Sequence, residues 1–529
     1  MTSNNNIFTF NIVLWFSVAI ALAFAACGKS GALDRTATLG RPFQEWTLQN
    51  GTYEGNPFDL VASVKFVNPD NGEERVTEMF YAGDDNWKFR FTATSLGNWQ
   101  FTTFSDDPEL DGRGGEVLVI PDSSPGVGGF LTHRGNKFAL QRGNSEKPQG
   151  YLFNVYMGRA NFDSYLESFG TDSAEIADKT VDYLAEANKN GFEIIFLHIN
   201  NNWFEHGARA HDSHNSVNPD ILSFRVLERV ITTAHARGGH VHLWAWGDES
   251  RKWTPLGVPG GINGSSDRRL QRYIAARLGP LPGWTMGYGF DLHEWTDGNR
   301  LNAWASFLHK RFGWQHLLCA RGFILNGNSN INSYDGFGRN VPLHTTRGGP
   351  QNFHEVLEDI ASDTTLPHLY EERHTYNRPE FKLDMDGTRR LLWWQAMAGG
   401  MGGFYGFYPS GSSAFGGYPY PAPEQLRTFK AFWHVRQRFI LDMSTSISQG
   451  NELLMLKDQK AGRCILYQEN AEIIECNLEA LRGPQKVVAV DTRKEYAEID
   501  LGTVGPQKQK LELPYHSDWA ISLGNFPGD

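Results

Sequence analysis

The chain has 529 residues, too many for a single hydrophobic core, so two or three domains are expected. Composition is that of a globular protein, 40% hydrophobic and 21% charged, but aromatics reach 13% and include 16 Trp. A net charge of −11 without a basic run excludes a nucleic-acid groove, which needs clustered Lys and Arg.

Residues Ile12 to Ala26 form an apolar run, broken by Ser17 and ending Phe24-Ala25-Ala26-Cys27-Gly28. It is short for a membrane span and ends in small residues, which predicts a cleaved export signal over residues 1–27. Cys27 directly after Ala25-Ala26 resembles a bacterial lipobox. That resemblance implies a lipidated Cys27, holding an exported chain at a bacterial membrane, in the periplasm or on the cell surface. Met1 to Asn11 lacks the Lys or Arg with which such signals normally start, so plain cleavage stays an alternative. Of Cys319, Cys464 and Cys476, no two form a CxxC pair, which disfavours zinc ribbons and thioredoxin-like sites.

Over residues 37–122 short alternating segments are separated by Gly/Asn/Asp turns. Asp59–Phe66 is followed by a Pro-Asp-Asn-Gly turn, and Asn86–Thr92 and Trp99–Phe104 flank a Leu96-Gly97-Asn98 turn. This predicts a β-sandwich. The Trp87-Lys88-Phe89-Arg90-Phe91 run followed by Gly97-Asn98-Trp99 resembles the immunoglobulin-like domain of unknown function found in front of bacterial barrel glycosidases.

From 129 to 441 the rhythm becomes strand, helix, strand, helix. The expected strands are Tyr151–Tyr156, Phe192–Ile199, His240–Trp246, Trp284–Glu294, His316–Phe323, Val341–Arg347, Pro367–Glu372 and Gly402–Tyr408. Expected helices include Ser173–Ala187, Pro219–Arg237, Pro350–Ser362, Asp386–Met397 and Pro423–Ile440. Eight βα units with no Gly-rich phosphate loop predict a (β/α)8 TIM barrel rather than a doubly wound sheet. Residues 447–529 return to strands, a second and smaller β-sandwich. There Arg463–Asn477 reads as two strands joined near Asn470, a hairpin setting Cys464 opposite Cys476 for a disulfide in an exported protein.

In such a barrel chemistry belongs at the C-terminal strand ends. Carboxylates occur there at Glu294 after the fourth strand and at Glu371 and Glu372 after the seventh. Across the mouth, two carboxyls can flank one glycosidic bond. Sugar-contact candidates at other strand ends are Asn201, Asn202, Trp203, Trp246, Asp248, Arg251, Tyr405 and Tyr408, with His293, Trp295 and His374 beside the carboxylates. For each, ordinary rim packing is the competing expectation. His240 and His242 form an HxH pair at the start of the third strand, expected to plug the barrel floor rather than hold metal. No cofactor or catalytic metal is expected.

These spans resemble the large barrel clan of retaining glycosidases. The resemblance implies Glu294 as acid/base and Glu372, five positions after Pro367, as nucleophile, with Glu371 the alternative one register step away. The clan usually has Asn before its acid/base, where this chain has His293. Trp393-Trp394-Gln395 leading into Gly399-Gly400 and Gly403-Phe404-Tyr405-Gly406 resembles the apiosidase-like family of bacterial barrel glycosidases. Together these resemblances imply hydrolysis of a plant or algal polysaccharide or oligosaccharide. Two alternatives stay open: a polysaccharide lyase using His374 or Tyr376 on a uronate, and a non-catalytic sugar-binding protein.

Overall fold

The computed structural model describes residues 33–123, 129–142, 145–147, 155–161, 178, 180–181, 185, 194–205, 218–247, 254–327, 329–334, 353–361, 365–370, 385–400, 404–405, 422–438, 444–447, 453–458, 462–479 and 481–526. The expectations for Cys27, Asp248, Arg251, Glu371, Glu372, His374, Tyr376, Tyr408 and residues 341–347 lie outside them. Among the described residues no helix is long and apolar enough to cross a membrane.

The front of the chain comprises β1 (Arg35–Thr38), β2 (Gln44–Gln49), β3 (Ala62–Val67), β4 (Glu74–Glu78), β5 (Phe80–Tyr81), β6 (Asn86–Phe91), β7 (Gly97–Ser105) and β8 (Gly114–Ile120). They form a five-stranded sheet, β1-β8-β7-β3-β4, and a three-stranded one, β2-β6-β5. Alternation sends Val64, Phe66, Trp99 and Phe101 of the first and Trp46, Trp87, Phe89 and Phe91 of the second into one aromatic core. Trp46 stacks on Phe89 with ring centres 5.0 Å apart. β6 and β7 belong to opposite sheets, so the chain crosses from one to the other between Phe91 and Gly97.

A short antiparallel sheet comes next, made of β9 (Phe130–Arg134), β10 (Lys137–Arg142) and β11 (Ser145–Lys147). The strand–helix rhythm of the sequence does not separate these residues from the βα series. They sit by the N-terminal ends of the strands that come after them. Phe130 packs on His316 (ring centres 5.5 Å), and the buried Lys137 ammonium donates to the carbonyls of Gly399 and Gly400 at 2.5 and 3.2 Å. Burial lowers the Lys137 pKa to about 7.

The βα region contains β12 (Val155–Asn161), β13 (Ile194–His198), α1 (Ile221–Ala236), β14 (His240–Trp246), α2 (Ser265–Leu278), β15 (Trp284–Gly289), α3 (Gly298–His309), β16 (Leu318–Cys319), β17 (Asn332–Tyr334), α4 (Phe353–Ala361), β18 (His368–Tyr370), α5 (Met385–Met397), β19 (Phe404–Tyr405) and α6 (Pro423–Val435). β13 and β14 are buried along their whole length, as strands covered on both faces are. Asp220 caps α1 by accepting from the Leu222 amide. Six strands form one wholly parallel sheet, β16-β15-β14-β13-β12-β19, in which the last strand of the series lies beside the first. β17 and β18 pair in parallel, and an isolated parallel bridge from Leu318 to Asn330 links β16 to the segment leading into β17. The expected sixth strand at 341–347 lies outside the described residues; ahead of it the chain forms β17. At three residues it is too short to leave an alternation in the sequence.

The C-terminal region is a single antiparallel sheet, ordered β20 (Ser444–Ile447), β21 (Leu454–Asp458), β22 (Arg463–Asn477), β25 (Lys508–Leu523), β23 (Gln485–Asp491), β24 (Ile499–Val504). It encloses its own core, from Leu453 and Met455 to Ile474 and Leu511, by bending rather than by pairing two sheets. The bend lies in β22, where the register against β25 shifts between Gln468 and Ala471 and Asn470 adopts φ 50°. The expected Cys464–Cys476 hairpin is thus overturned. Both residues lie on one strand, opposite Leu523 and Gln509 respectively, and both carry free, buried thiols. Burial raises both thiol pKa values, that of Cys476 to about 11. Cys464 and Cys476 should accordingly resist iodoacetamide in the folded chain and be labelled fully in urea, as read by peptide mass spectrometry.

Buried charges join these parts. Glu228 of α1 accepts from Arg277 of α2 at 2.5 and 2.8 Å and from Arg90 of β6 at 3.0 Å. Burial alone would raise its pKa, but the two guanidiniums outweigh burial and hold it at about 2. At the other flank Arg389 of α5 pairs with Asp518 of β25, both side chains fully buried. Asp518 also accepts the Asn470 amide at 2.8 Å, so the bulge feeds this joint. Because the Glu228 pKa is depressed on folding, its contribution is complete above the ordinary carboxylate range near pH ~4.3 and is lost as pH falls towards 2. Arg277→Met leaves that carboxylate under-compensated and should cost about 3–5 kcal/mol in urea unfolding at pH 7.

Candidate active site

On β13, β14 and β15 the pleat separates two kinds of face. Ile195, Leu197, Val241, Leu243, Met286 and Tyr288 alternate with Phe196, His198, His242, Trp244 and Thr285. The second set is aromatic and polar and meets across strands. Phe196 packs on Trp244 (4.5 Å between ring centres), and the ring of His242 bonds the Thr285 hydroxyl through Nδ1 at 2.7 Å. His240 stands at the opposite end of β14 from Trp246, in a dry pocket where burial and then His235 lower its pKa to about 3. Among the described residues no group of three His, Cys, Asp or Glu is arranged to hold a metal ion.

At the C-terminal edge of the parallel sheet a compact cluster forms. His198 ends β13, and its ring lies 5.0 Å from Trp244 and 4.7 Å from Phe290. Trp244 and Phe290 meet edge to face at 3.5 Å. Asp291 comes directly after Phe290 and takes the left-handed conformation (φ 38°, ψ 47°). Arg321, two residues past β16, pairs with the Asp291 carboxylate, its guanidinium 5.7 Å from the ring centres of both Trp244 and Phe290. None of these five residues is among the candidates that the sequence alone suggests. Asp291 and Arg321 fall inside the expected strands Trp284–Glu294 and His316–Phe323, and only the earlier strand ends at Gly289 and Cys319 place them on the edge.

Glu294 closes a 3-10 turn (Leu292–Glu294), and its amide bonds the Asp291 carbonyl at 2.9 Å. Glu294 and His293 are exposed, and the His293 ring lies 4.5 Å from that of Phe323. The fourth strand thus ends at Gly289, five residues before its predicted end.

Four of the residues expected to contact sugar are buried. Asn202 donates to the Ile199 carbonyl at 3.0 Å, Trp203 to that of Ala245 at 2.7 Å and Trp295 to that of Phe290 at 2.9 Å. Trp246 is buried against Phe204, ring centres 6.2 Å apart. The first three side chains fasten loops to strand ends. Asn201 lies on the 3-10 turn Asn200–Trp203 after β13, and Tyr405 closes β19.

Residues 42–106 match the model of a family described as a domain of unknown function, DUF5060. No curated protein matches the chain. The fold is similar to the crystal structure of a candidate glycoside hydrolase from Bacteroides vulgatus ATCC 8482. The TM-score is 0.69 at 13% identity, covering 93% of this chain and 99% of that one. A family 5 glycoside hydrolase from the same organism gives 0.57 at 13% identity, over 75% and 94%. Another structure, named only as a glycoside hydrolase, gives 0.55 at 14% identity, over 75% and 97%. At these identities the likeness is one of fold.

Gly289 lets this edge form. A Cβ there would stand 2.6 Å from the Trp246 carbonyl oxygen, inside van der Waals contact with backbone that cannot swing aside. Gly289→Ala should therefore cost about 1–3 kcal/mol of unfolding free energy, read by urea denaturation.

Proposed function

We propose that this chain is a glycoside hydrolase whose eight parallel strands close into a barrel, with the chemistry at the C-terminal strand ends. One observation carries the reading. The last strand of a parallel series adjoins the first, so β15, leading into Asp291 and Glu294, and β18, leading into Glu371 and Glu372, would present carboxylates at one edge. Similarity of fold to glycoside hydrolases along nearly the whole chain supports it.

In this reading Glu294 protonates the departing glycosidic oxygen while Glu372 attacks the anomeric carbon, forming a glycosyl ester as the old C–O bond breaks. Glu294 then takes a proton from water, which attacks the same carbon, expels Glu372 and leaves the product with retained configuration. Glu371 is the alternative nucleophile. The substrate is a neutral or weakly charged plant or algal polysaccharide or oligosaccharide, in keeping with the net charge of −11. Export with a lipid on Cys27 would set the enzyme at a bacterial surface, where such polymers are met.

Glu372→Ala should abolish turnover of an activated aryl glycoside, and azide should restore it with inverted product, read by NMR of the anomeric proton. Full activity in Glu372→Ala with loss in Glu371→Ala would exchange the two roles. Retained activity in both variants, or an unsaturated product absorbing in the ultraviolet, would sink the mechanism.

A further inference from the structure

The geometry points to Asp291 as a substrate-binding residue, a carboxylate fixed from behind by Arg321 that accepts hydrogen bonds from sugar hydroxyls. This rests on the glycosidase reading, and it adds a residue that the two-glutamate mechanism does not use.

Three observations on different residues converge. Arg321 is dry, its side chain 2% exposed behind Trp244 and Phe290, whereas the Asp291 side chain with which it pairs is 25% exposed. The pair is therefore asymmetric, with the cation buried and the carboxylate partly exposed. Asp291 is held in the left-handed region, which Asp tolerates better than most residues but which still costs free energy. Gly289, two residues earlier, lets β15 run against the Trp246 carbonyl, and the chain turns directly afterwards to bring Asp291 over Arg321.

An ionised carboxylate is acceptor-only, and sugar hydroxyls are donors, so the two match without rearrangement. The rings of Trp244, Phe290 and His198 pack together beside the pair and limit where the guanidinium can point. Arg321 is a positioning residue. One guanidinium nitrogen donates to the Asp291 carboxylate, and the delocalised, weakly hydrated guanidinium suits this dry position better than a lysine ammonium. Substrates must then carry hydroxyl donors at the ring positions reaching β15, and deoxygenation there should cost binding in the parent chain.

The experiment uses the full chain and its Asp291→Asn and Arg321→Lys variants. Steady-state kinetics are read on the fastest substrate from a panel of 4-nitrophenyl glycosides and soluble plant and algal polysaccharides. Loss of a charged acceptor should raise KM roughly tenfold in Asp291→Asn, with kcat changed less than about threefold. Arg321→Lys should give a smaller rise of the same kind. A structural pair would lower the melting temperature in both variants and leave KM where it was, and that result overturns the assignment. So does a fall in kcat at constant KM, which would put Asp291 in the chemical step. If Asp291→Asn fails to fold, Asp291→Glu keeps the charge but displaces it, and an unchanged KM there also overturns the proposal. A folded parent inactive on every substrate defeats the glycosidase reading and this one together, whereas an active parent with an unchanged KM in Asp291→Asn defeats this one alone.

Discussion

One carboxylate between two guanidiniums fixes how the front sheets meet the parallel sheet. Glu228 projects from α1, Arg277 from α2 and Arg90 from β6, so the triad exists only when all three elements are in place. Desolvating three charges is expensive, and little net stability is expected from the exchange. The gain is uniqueness: sliding β6 by one residue would turn Arg90 away and leave Glu228 with Arg277 alone. Thr92 to the Pro280 carbonyl and Trp314 to the Thr92 carbonyl, at 2.5 and 2.9 Å, repeat the constraint one pleat further on.

The rear sheet is fastened by the same kind of contact at a different helix. Arg389 and Asp518 lock α5 to β25, and Trp394 donates to Glu469 at 3.0 Å beside them. Both flanking regions thus grip helices, on the outside of the parallel sheet. The strand ends that carry His198, Asp291 and Arg321 take no part in either joint.

Legibility tracks the length of the pattern. β3, β6, β7 and β14 span six to nine residues, and their alternation or continuous apolarity can be read directly. β16, β17, β18 and β19 hold two or three residues each, too few to leave a pattern, and their places come only from counting units. The aromatic residues mislead for another reason. Trp203 and Trp295 look like sugar platforms in sequence, but an indole N–H is satisfied equally well by a passing carbonyl, and only the fold decides which. Asn470 is ambiguous in the same way. A left-handed Asn serves a hairpin turn or a bulge in a continuing strand, and the difference moves Cys476 from the partner of Cys464 to the far half of its own strand.

The hairpin of β9 and β10 sets a schedule for folding. Lys137 can reach its acceptors only when Gly399 and Gly400, 262 and 263 residues further along, have arrived. β12 waits likewise for Phe404 and Tyr405. Contacts of such sequence separation form late and slowly, because the loop must close before any contact rewards it. Until then β12 presents one unpaired edge, the kind of surface on which chains aggregate. The early residues of the βα region therefore depend on partners near its far end, synthesised long after them.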